Sequence, residues 1–400
     1  MIKVLILGID GYIGWPLANH LLNQSNKYKV AGLDNGVRRK RVMECGSKSL
    51  TLIHDRISRE EYITSHVNFF NSIYNCNIND TYLISKFLKD FQPDAIIHLA
   101  EQPSAPYSMK DSYASIMTQS ENILGTLSLL WAIHKECPNA HLIKLGTMGE
   151  YGTPNCDIPE GRIPPSPCNY TQGNGYLSDL GTCPMSGLLF PRTAGSFYHL
   201  SKVHDTHNIE FACRNWGLRS TDVMQGVVYG LYPYSPSNPA LLTRFDYDQY
   251  FGTVINRFIA QALVNMPLTV YGLGQQVRGF LTLEDSIKCL NIAIDNPPKP
   301  GKYRTFNQFE HIYSINKLAN AVVDAAAELE ITATIQHIEN PRESIESHNH
   351  YYNPDNSKLL NLGYVPNTNM HGELIKLFNS LIHRKDHILT NVILPTTNWR

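Results

Sequence analysis

The chain has 400 residues, 42% of them hydrophobic, and a formal net charge of −1 at pH 7. That length can bury a large core, in two or three domains or in one large α/β unit. The charge balance gives no reason to expect nucleic acid or an anionic membrane as partner. No run of about 18 apolar residues marks a membrane span. "MIKVLILG" enters a strand at once and leaves no room for a signal or transit peptide. Eight cysteines (Cys45, Cys76, Cys137, Cys156, Cys168, Cys183, Cys213, Cys289) lack C-x-x-C spacing. They point away from zinc and toward reduced thiols in the cytoplasm. H-E-x-x-H is absent, and "HNHYY" (His348, His350) reads as loop or surface, so no metal is expected.

In chain order, "IKVLIL" (residues 2–7) reads as a strand buried on both faces. "GIDGYIG" follows, then "WPLANHLLNQ" as a helix and "YKVAGLDN" as a strand ending near Asp34. Asp94–Ala100 and His141–Thr147 are further strands, and Ser120–Glu136 is an apolar-periodic helix between them. Arg219–Gly230 reads as one later core strand running into a loop. Strands alternating with helices predict an α/β fold with a doubly wound parallel sheet. Residues 153–195 are rich in Pro, Gly, Asn and Cys and form an insertion. Beyond residue 230 the chain alternates loops with short elements and reads as a smaller, partly helical lobe. The expected division is 1–230 and 231–400, with some of the later chain returning to the sheet.

Gly8, Gly11 and Gly14 form G-x-x-G-x-x-G at a strand-to-helix turn. Glycine permits the tight turn and lets a pyrophosphate approach the backbone at the helix N-terminus. Asp34 stands 20 residues after Gly14, where an acidic side chain suits the ribose hydroxyls of NAD. Arg38 and Arg39 follow and are able to grip a 2′-phosphate instead, but Asp34 favours NAD over NADP.

"GSFYHLSKVHD" places Tyr198 and Lys202 four residues apart, neighbours on one helical face. An ammonium beside a phenol lowers its pKa from about 10 and makes it a general base. Such a pair alone recurs by chance. Thr147, in "LGTMGEYG", ends a strand at the place where open α/β sheets bind ligands. Thr147, Tyr198 and Lys202 together form a plausible base assembly, and Glu150 is the nearby carboxylate.

These motifs resemble the extended short-chain dehydrogenase/reductases, Rossmann-domain enzymes that act mostly on nucleotide sugars with NAD. The blocks "HDRISR", "SAPYSM", "KLGTMGEYGTPN", "SFYHLSKVHD", "QGVVYG", "RFDYD" and "HYYN" are similar, nearly end to end, to the UDP-sulfoquinovose synthase family within them. The resemblance implies UDP-glucose and sulfite as substrates and a homodimer. It implies that Tyr198 takes the sugar 4-OH proton while the C4 hydride passes to NAD. The 4-ketone then acidifies C5–H, water leaves C6, sulfite adds to the 5,6-alkene, and the hydride returns. Thr147 would hold the C4 oxygen with Tyr198, and Lys202 would bind the nicotinamide ribose. His199 and Glu150 are candidates for the protons at C5 and C6, although His199 points about 100° away from Tyr198 on a helix.

The same resemblance places the cofactor against Gly8, Asp10, Gly11, Tyr12, Ile13, Gly14, Asp34, Asn35, Arg38, Arg39, Ser72, Ile73, Leu99, Ala100, Gln225 and Val228, with Tyr198 and Lys202. It places the substrate against Gln102, Thr147, Gln225, Thr253, Asn256, Arg257, Gln276, Arg278 and Arg342. Arg278 and Arg342 are the diphosphate partners, because a guanidinium matches phosphate oxygens in a fork. The chain departs from the family at Pro103, where an arginine is usual, and at Ser72, where the superfamily has Asp. It departs again at 163–193, a segment expected to cover the sugar end of the pocket. Within the superfamily the alternatives are a 4-epimerase or a 4,6-dehydratase. Dehydratases usually carry an Asp–Glu pair after the Thr, and here Met148 and Gly149 stand there. A non-catalytic NAD-binding regulator would have lost Thr, Tyr or Lys, and all three are present.

Overall fold

The structure, a computed structural model, describes residues 1–74, 76–164, 187–343, 351–367, 369–397 and 399, and only the backbone of 72–74. Most of the expected cover, with Cys168 and Cys183, lies outside the described residues, as do His348 and His350.

The strands in chain order are β1 (Ile2–Leu7), β2 (Tyr28–Asp34), β3 (Phe69–Tyr74), β4 (Ala95–His98), β5 (His141–Thr147) and β6 (Asp157–Ile158). Then come β7 (Arg219–Gln225), β8 (Val227–Tyr229), β9 (Leu268–Tyr271), β10 (Val277–Thr282), β11 (Tyr303–Gln308), β12 (His311–Ser314), β13 (Ile335–Ile338) and β14 (Asn353–Pro354). Seven of them form one parallel sheet in the order β11-β7-β5-β4-β1-β2-β3. The doubly wound parallel sheet expected from the alternation is present.

Both faces of this sheet are buried, which is why β1 is apolar from Val4 to Leu7. Val4 and Ile6 join one core with Trp15, Leu21, Ile143 and Leu290. Leu5 and Leu7 join the opposite core with Leu88, Ile96, Leu129 and Ile209. The period of two along β1 thus divides its side chains between two helical layers. A third core lies in the later part of the chain, where Phe258, Ile259, Leu318, Val322, Leu374 and Phe378 pack together. Trp15 Nε1 donates to the Ala240 carbonyl at 2.9 Å and ties the first helix to that part.

Two elements differ from the sequence reading. Arg219–Gly230 is not one strand. β7 belongs to the large sheet, and β8 pairs with β10 in a three-stranded sheet with β12. The switch falls at Gly226, where a Cβ would stand 2.6 Å from the Gly279 carbonyl oxygen. Only glycine allows the two backbones to approach so closely. The helix expected over Ser120–Glu136 opens with a π-helical turn, Ser120–Leu124, fused to the preceding helix Ser112–Gln119. Such turns carry a surplus residue and gather at functional sites. Here the turn holds Asn122, which donates to the Gln102 carbonyl (3.2 Å) and Ser201 Oγ (2.9 Å). Among the described residues no helix is long and apolar enough to cross a membrane.

Gly226→Ala is expected to destabilise the fold by about 1–3 kcal/mol through overpacking. Urea unfolding monitored by tryptophan fluorescence checks this.

Candidate active site

A cavity of about 860 Å³ opens at the C-terminal ends of β1, β4, β5 and β7. Gly8 has φ 87°, and a Cβ there would lie 2.9 Å from the Leu99 carbonyl. A Cβ on Gly14 would lie 2.1 Å from the Gly8 carbonyl oxygen. Gly8, Gly11, Tyr12, Ile13 and Gly14 line the cavity, with Asp34 and Asn35 after β2, Leu99 and Ala100 after β4, and Gln225 and Val228. Asp34 accepts from the backbone N–H of Asp10 at 2.9 Å and of Gly36 at 2.6 Å. Those two bonds fix its carboxylate at the cavity edge. Burial, then the Asp10 charge, push the carboxyl up. This cradle, free of side chains at the glycines and acidic at the far edge, fits NAD.

Asp10 and Arg39 do not stand on the cavity wall. Asp10 is 3% exposed and is held by Arg39 (Nη2, 2.8 Å) and Arg59 (Nη1, 2.7 Å), so the pair braces the glycine turn from behind. Arg38 lines the cavity, but its Nη2 meets Asp246 at 2.5 Å and its guanidinium lies over the Phe251 ring. With both arginines engaged by carboxylates, the cavity edge favours a ribose hydroxyl over a 2′-phosphate. Ser72 and Ile73 lie on β3, beside Gly32 and Leu33 of β2, and their side chains lie outside the described residues.

At the reacting end, β5 delivers Thr147 to the cavity, and its hydroxyl accepts the Gly149 N–H at 3.1 Å. Tyr198 belongs to the helix Phe197–Trp216, capped by Ser196, whose hydroxyl accepts the His199 N–H. Ser108, from the "SAPYSM" block, accepts the Tyr198 N–H at 3.0 Å. The Thr147 hydroxyl reaches the Tyr198 phenol. Lys202 donates to the Leu145 carbonyl at 2.7 Å and forms a close ion pair with Glu101.

Two expectations are corrected here. The Lys202 ammonium stands 5.8 Å from the centre of the Tyr198 ring and pairs with Glu101 and the Leu145 carbonyl rather than with the phenol. Burial and the Glu150 charge push the phenol up against the Thr147 hydrogen bond. Lys202 is itself pushed down to about 8 by burial, and its ammonium is turned to Glu101. Glu150 is not on the cavity wall. Its Oε2 accepts from Arg192 (3.0 Å) and Thr206 (3.2 Å), and its Oε1 faces Lys144 at 3.4 Å, all within a buried cluster.

His199, by contrast, does line the cavity beside Tyr198, with ring centroids 5.2 Å apart. The helix begins at the cavity edge, so two successive residues of its first turn both reach the site. Burial, Arg342 and Arg278 hold His199 down at about 3, which keeps it neutral. A Cβ on Gly149 would lie 2.3 Å from His199 Nε2. The imidazole therefore occupies the space that a side chain at position 149 would need.

Thr253, Arg257, Gln276, Arg278 and Arg342 line the other end. Arg257 donates to the Tyr271 hydroxyl at 2.9 Å. Gln102 and Asn256 do not line it. Gln102 is 1% exposed and donates to Thr118 Oγ1 and the Ser104 carbonyl, closing a turn. Asn256 accepts the Gly230 N–H and holds the loop after β8. Sequence reasoning missed Glu101, which stands three residues before the recognised "SAPYSM" block. It also missed Pro395, Thr397 and Trp399, which line the cavity without any local pattern to announce them. Of the expected cover, Thr193 lines the cavity and donates to the Tyr151 carbonyl, while residues 165–186 lie outside the described residues.

Residues 4–176 match the NAD dependent epimerase/dehydratase family. The whole chain is 42% identical to the chloroplastic UDP-sulfoquinovose synthase of Spinacia oleracea, covering 79% of it. It is 39% identical to the UDP-sulfoquinovose synthase of Sulfolobus acidocaldarius, with 100% of this chain and 98% of that one covered. The chain belongs to the UDP-sulfoquinovose synthase family. A UDP-glucuronic acid 4-epimerase from Bacillus cereus shares the fold at TM-score 0.68 and 20% identity, with 96% of this chain and 99% of that one covered. In this member of the UDP-sulfoquinovose synthase family, the tyrosine, threonine and histidine share one wall and the glycine cradle another.

The histidines make a solution prediction. His98 and His141 are buried and, like His199, held low, His141 and His199 at about 3. Unfolded, they titrate near about 6.5. As pH falls below that value the unfolded state takes up protons first, so stability is lost from about 6.5 toward about 3. The urea midpoint is expected to be lower at pH 5 than at pH 7. His141→Gln is expected to reduce that difference.

Proposed function

We propose that this chain makes UDP-sulfoquinovose from UDP-glucose and sulfite through a 4-keto-5,6-ene intermediate. The observation that carries the reading is the meeting of Thr147, Tyr198 and His199 on one wall, between the glycine cradle and Arg278 with Arg342. The glycine turn, Asp34 and Lys202 would hold NAD, which would supply the hydride acceptor and donor for C4. Thr147 and Tyr198 hold the C4 oxygen, and Tyr198 removes and later restores its proton. His199, neutral at working pH, accepts the C5 proton and passes it to the hydroxyl leaving C6 as water. Sulfite, entering as bisulfite, gives its proton to His199 and forms the C–S bond at C6, and C5 takes that proton from His199. Arg278 and Arg342 bind the diphosphate.

Tyr198→Phe is expected to lower turnover about a hundredfold to ten-thousandfold while leaving the fold and NAD content intact. Mass spectrometry of UDP-glucose and sulfite incubated with each protein reads the sulfonated product. Near-wild-type turnover in the variant would sink the role of Tyr198, and no sulfonate from the wild type would sink the reaction.

The reading includes a homodimer in the cytoplasm. The described thiols Cys45, Cys76, Cys137, Cys156, Cys213 and Cys289 are free, which suits a reducing compartment. Two neighbouring helices expose an apolar face: Leu124, Leu127 and Trp131 (56% exposed) on one, Leu200 and Phe211 on the other. A second copy covers such a face. Trp131→Glu is expected to shift the protein from dimer to monomer in light scattering. A wild-type monomer would end this part of the reading.

A further inference from the structure

The chain's last described stretch returns to the site. Gln249 donates its N–H to the Val392 carbonyl at 2.9 Å. Its side-chain oxygen accepts from the Thr396 N–H at 2.6 Å and the Thr396 hydroxyl at 2.9 Å. Residues 392–396 are therefore fastened to the loop that leads into Thr253 and the helix Val254–Leu263. Pro395 within that anchor, and Thr397 and Trp399 after it, line the cavity. Thr397 is 9% exposed and Trp399 7%.

Two observations give this wall a ligand. The hydroxyls of Thr253 and Thr397 are buried, line the cavity and have no hydrogen-bond partner among the described residues. A buried hydroxyl left so is unfavourable until something in the cavity pairs with it. The Trp399 ring lies 4.5 Å from the guanidinium carbon of Arg342, which also lines the cavity. All guanidinium hydrogen bonds lie in its plane, so a ring against its face orients it without occupying a donor. Arg342 and Arg278 together act on His199, which places this wall next to the reacting groups on the charged side.

We infer that Pro395, Thr397 and Trp399 form part of the subsite for the nucleotide diphosphate: Thr397 hydrogen-bonds the ligand, and Trp399 is a positioning residue that aims Arg342 at the phosphates. The inference rests on the UDP-sugar reading above and adds residues that the reading does not contain.

The test is calorimetric titration of UDP into the full chain carrying NAD. Trp399→Ala is expected to weaken UDP on the order of tenfold, and Trp399→Phe much less, because a smaller ring still faces the guanidinium. Thr397→Val keeps the shape and removes the hydroxyl, and a loss of about threefold to tenfold is expected. In turnover assays KM for UDP-glucose rises while kcat holds, because the contacts serve ground and transition states alike. NAD content and circular dichroism report the fold of each variant. Wild-type UDP affinity in folded Trp399→Ala and Thr397→Val overturns the inference and leaves the reading of the enzyme standing. Failure of the wild-type protein to bind UDP overturns both.

Discussion

The register of four neighbouring parallel strands sets where the cavity-lining residues at their ends stand. Leu7 pairs with His98, His98 with Lys144, and Thr147 with Gln225, so β1, β4, β5 and β7 run out at one edge of the sheet. Gly8, Leu99, Thr147 and Gln225 reach the same cavity for that reason alone. A slip of one residue in any strand would turn its side chains to the opposite face. The Lys202 ammonium adds a cross-brace by donating to the Leu145 carbonyl, which fixes the Tyr198 helix against the end of β5. The sheet and the helix that carries Tyr198 are thus one mechanical unit.

Behind that edge lies a layer of buried charge. Lys144 is fully buried, faces Glu150 at 3.4 Å and Asp222 at 3.7 Å, and donates to the Lys202 carbonyl at 3.0 Å. Asp10 with Arg39 and Arg59 forms a second such set under the glycine turn. Buried ion pairs add little net stability, because desolvation offsets most of the attraction. They resist rearrangement, since losing one partner strands a charge. In this chain both sets stand behind backbone that lines the cavity, where fixed geometry matters more than stability.

Local patterns were legible in the sequence and tertiary ones were not. The glycine turn, Asp34 and the Tyr198–Lys202 spacing each express themselves within a few residues or one βαβ unit, and the structure brings them to one cavity. Glu150 shows the limit. It lies three residues past Thr147, yet a capping box folds its carboxylate back toward the Thr147 N–H and into the charged layer. Gln102 and Asn256 are polar residues assigned to the substrate whose side chains instead satisfy nearby backbone. Trp399 stands far from Arg342 in sequence, and nothing short of the folded chain joins them. The split of β7 from β8 was hidden because Gly226 reads as one more strand residue until the Gly279 backbone is beside it.

The π-helical turn at Ser120–Leu124 links two matters that otherwise look separate. Each α-helical residue advances the side-chain direction by about 100°, and a π-turn inserts about one surplus residue. That surplus rotates all of Gly125–Glu136 relative to Ser112–Gln119. The same rotation that carries Asn122 to Gln102 and Ser201, beneath the site, also presents Leu127 and Trp131 to the outside. Losing one residue from this turn would unseat Asn122 and swing the outer aromatic face away in a single stroke. Insertions and deletions here are therefore constrained from two directions at once, by the chemistry within and by whatever the outer face meets.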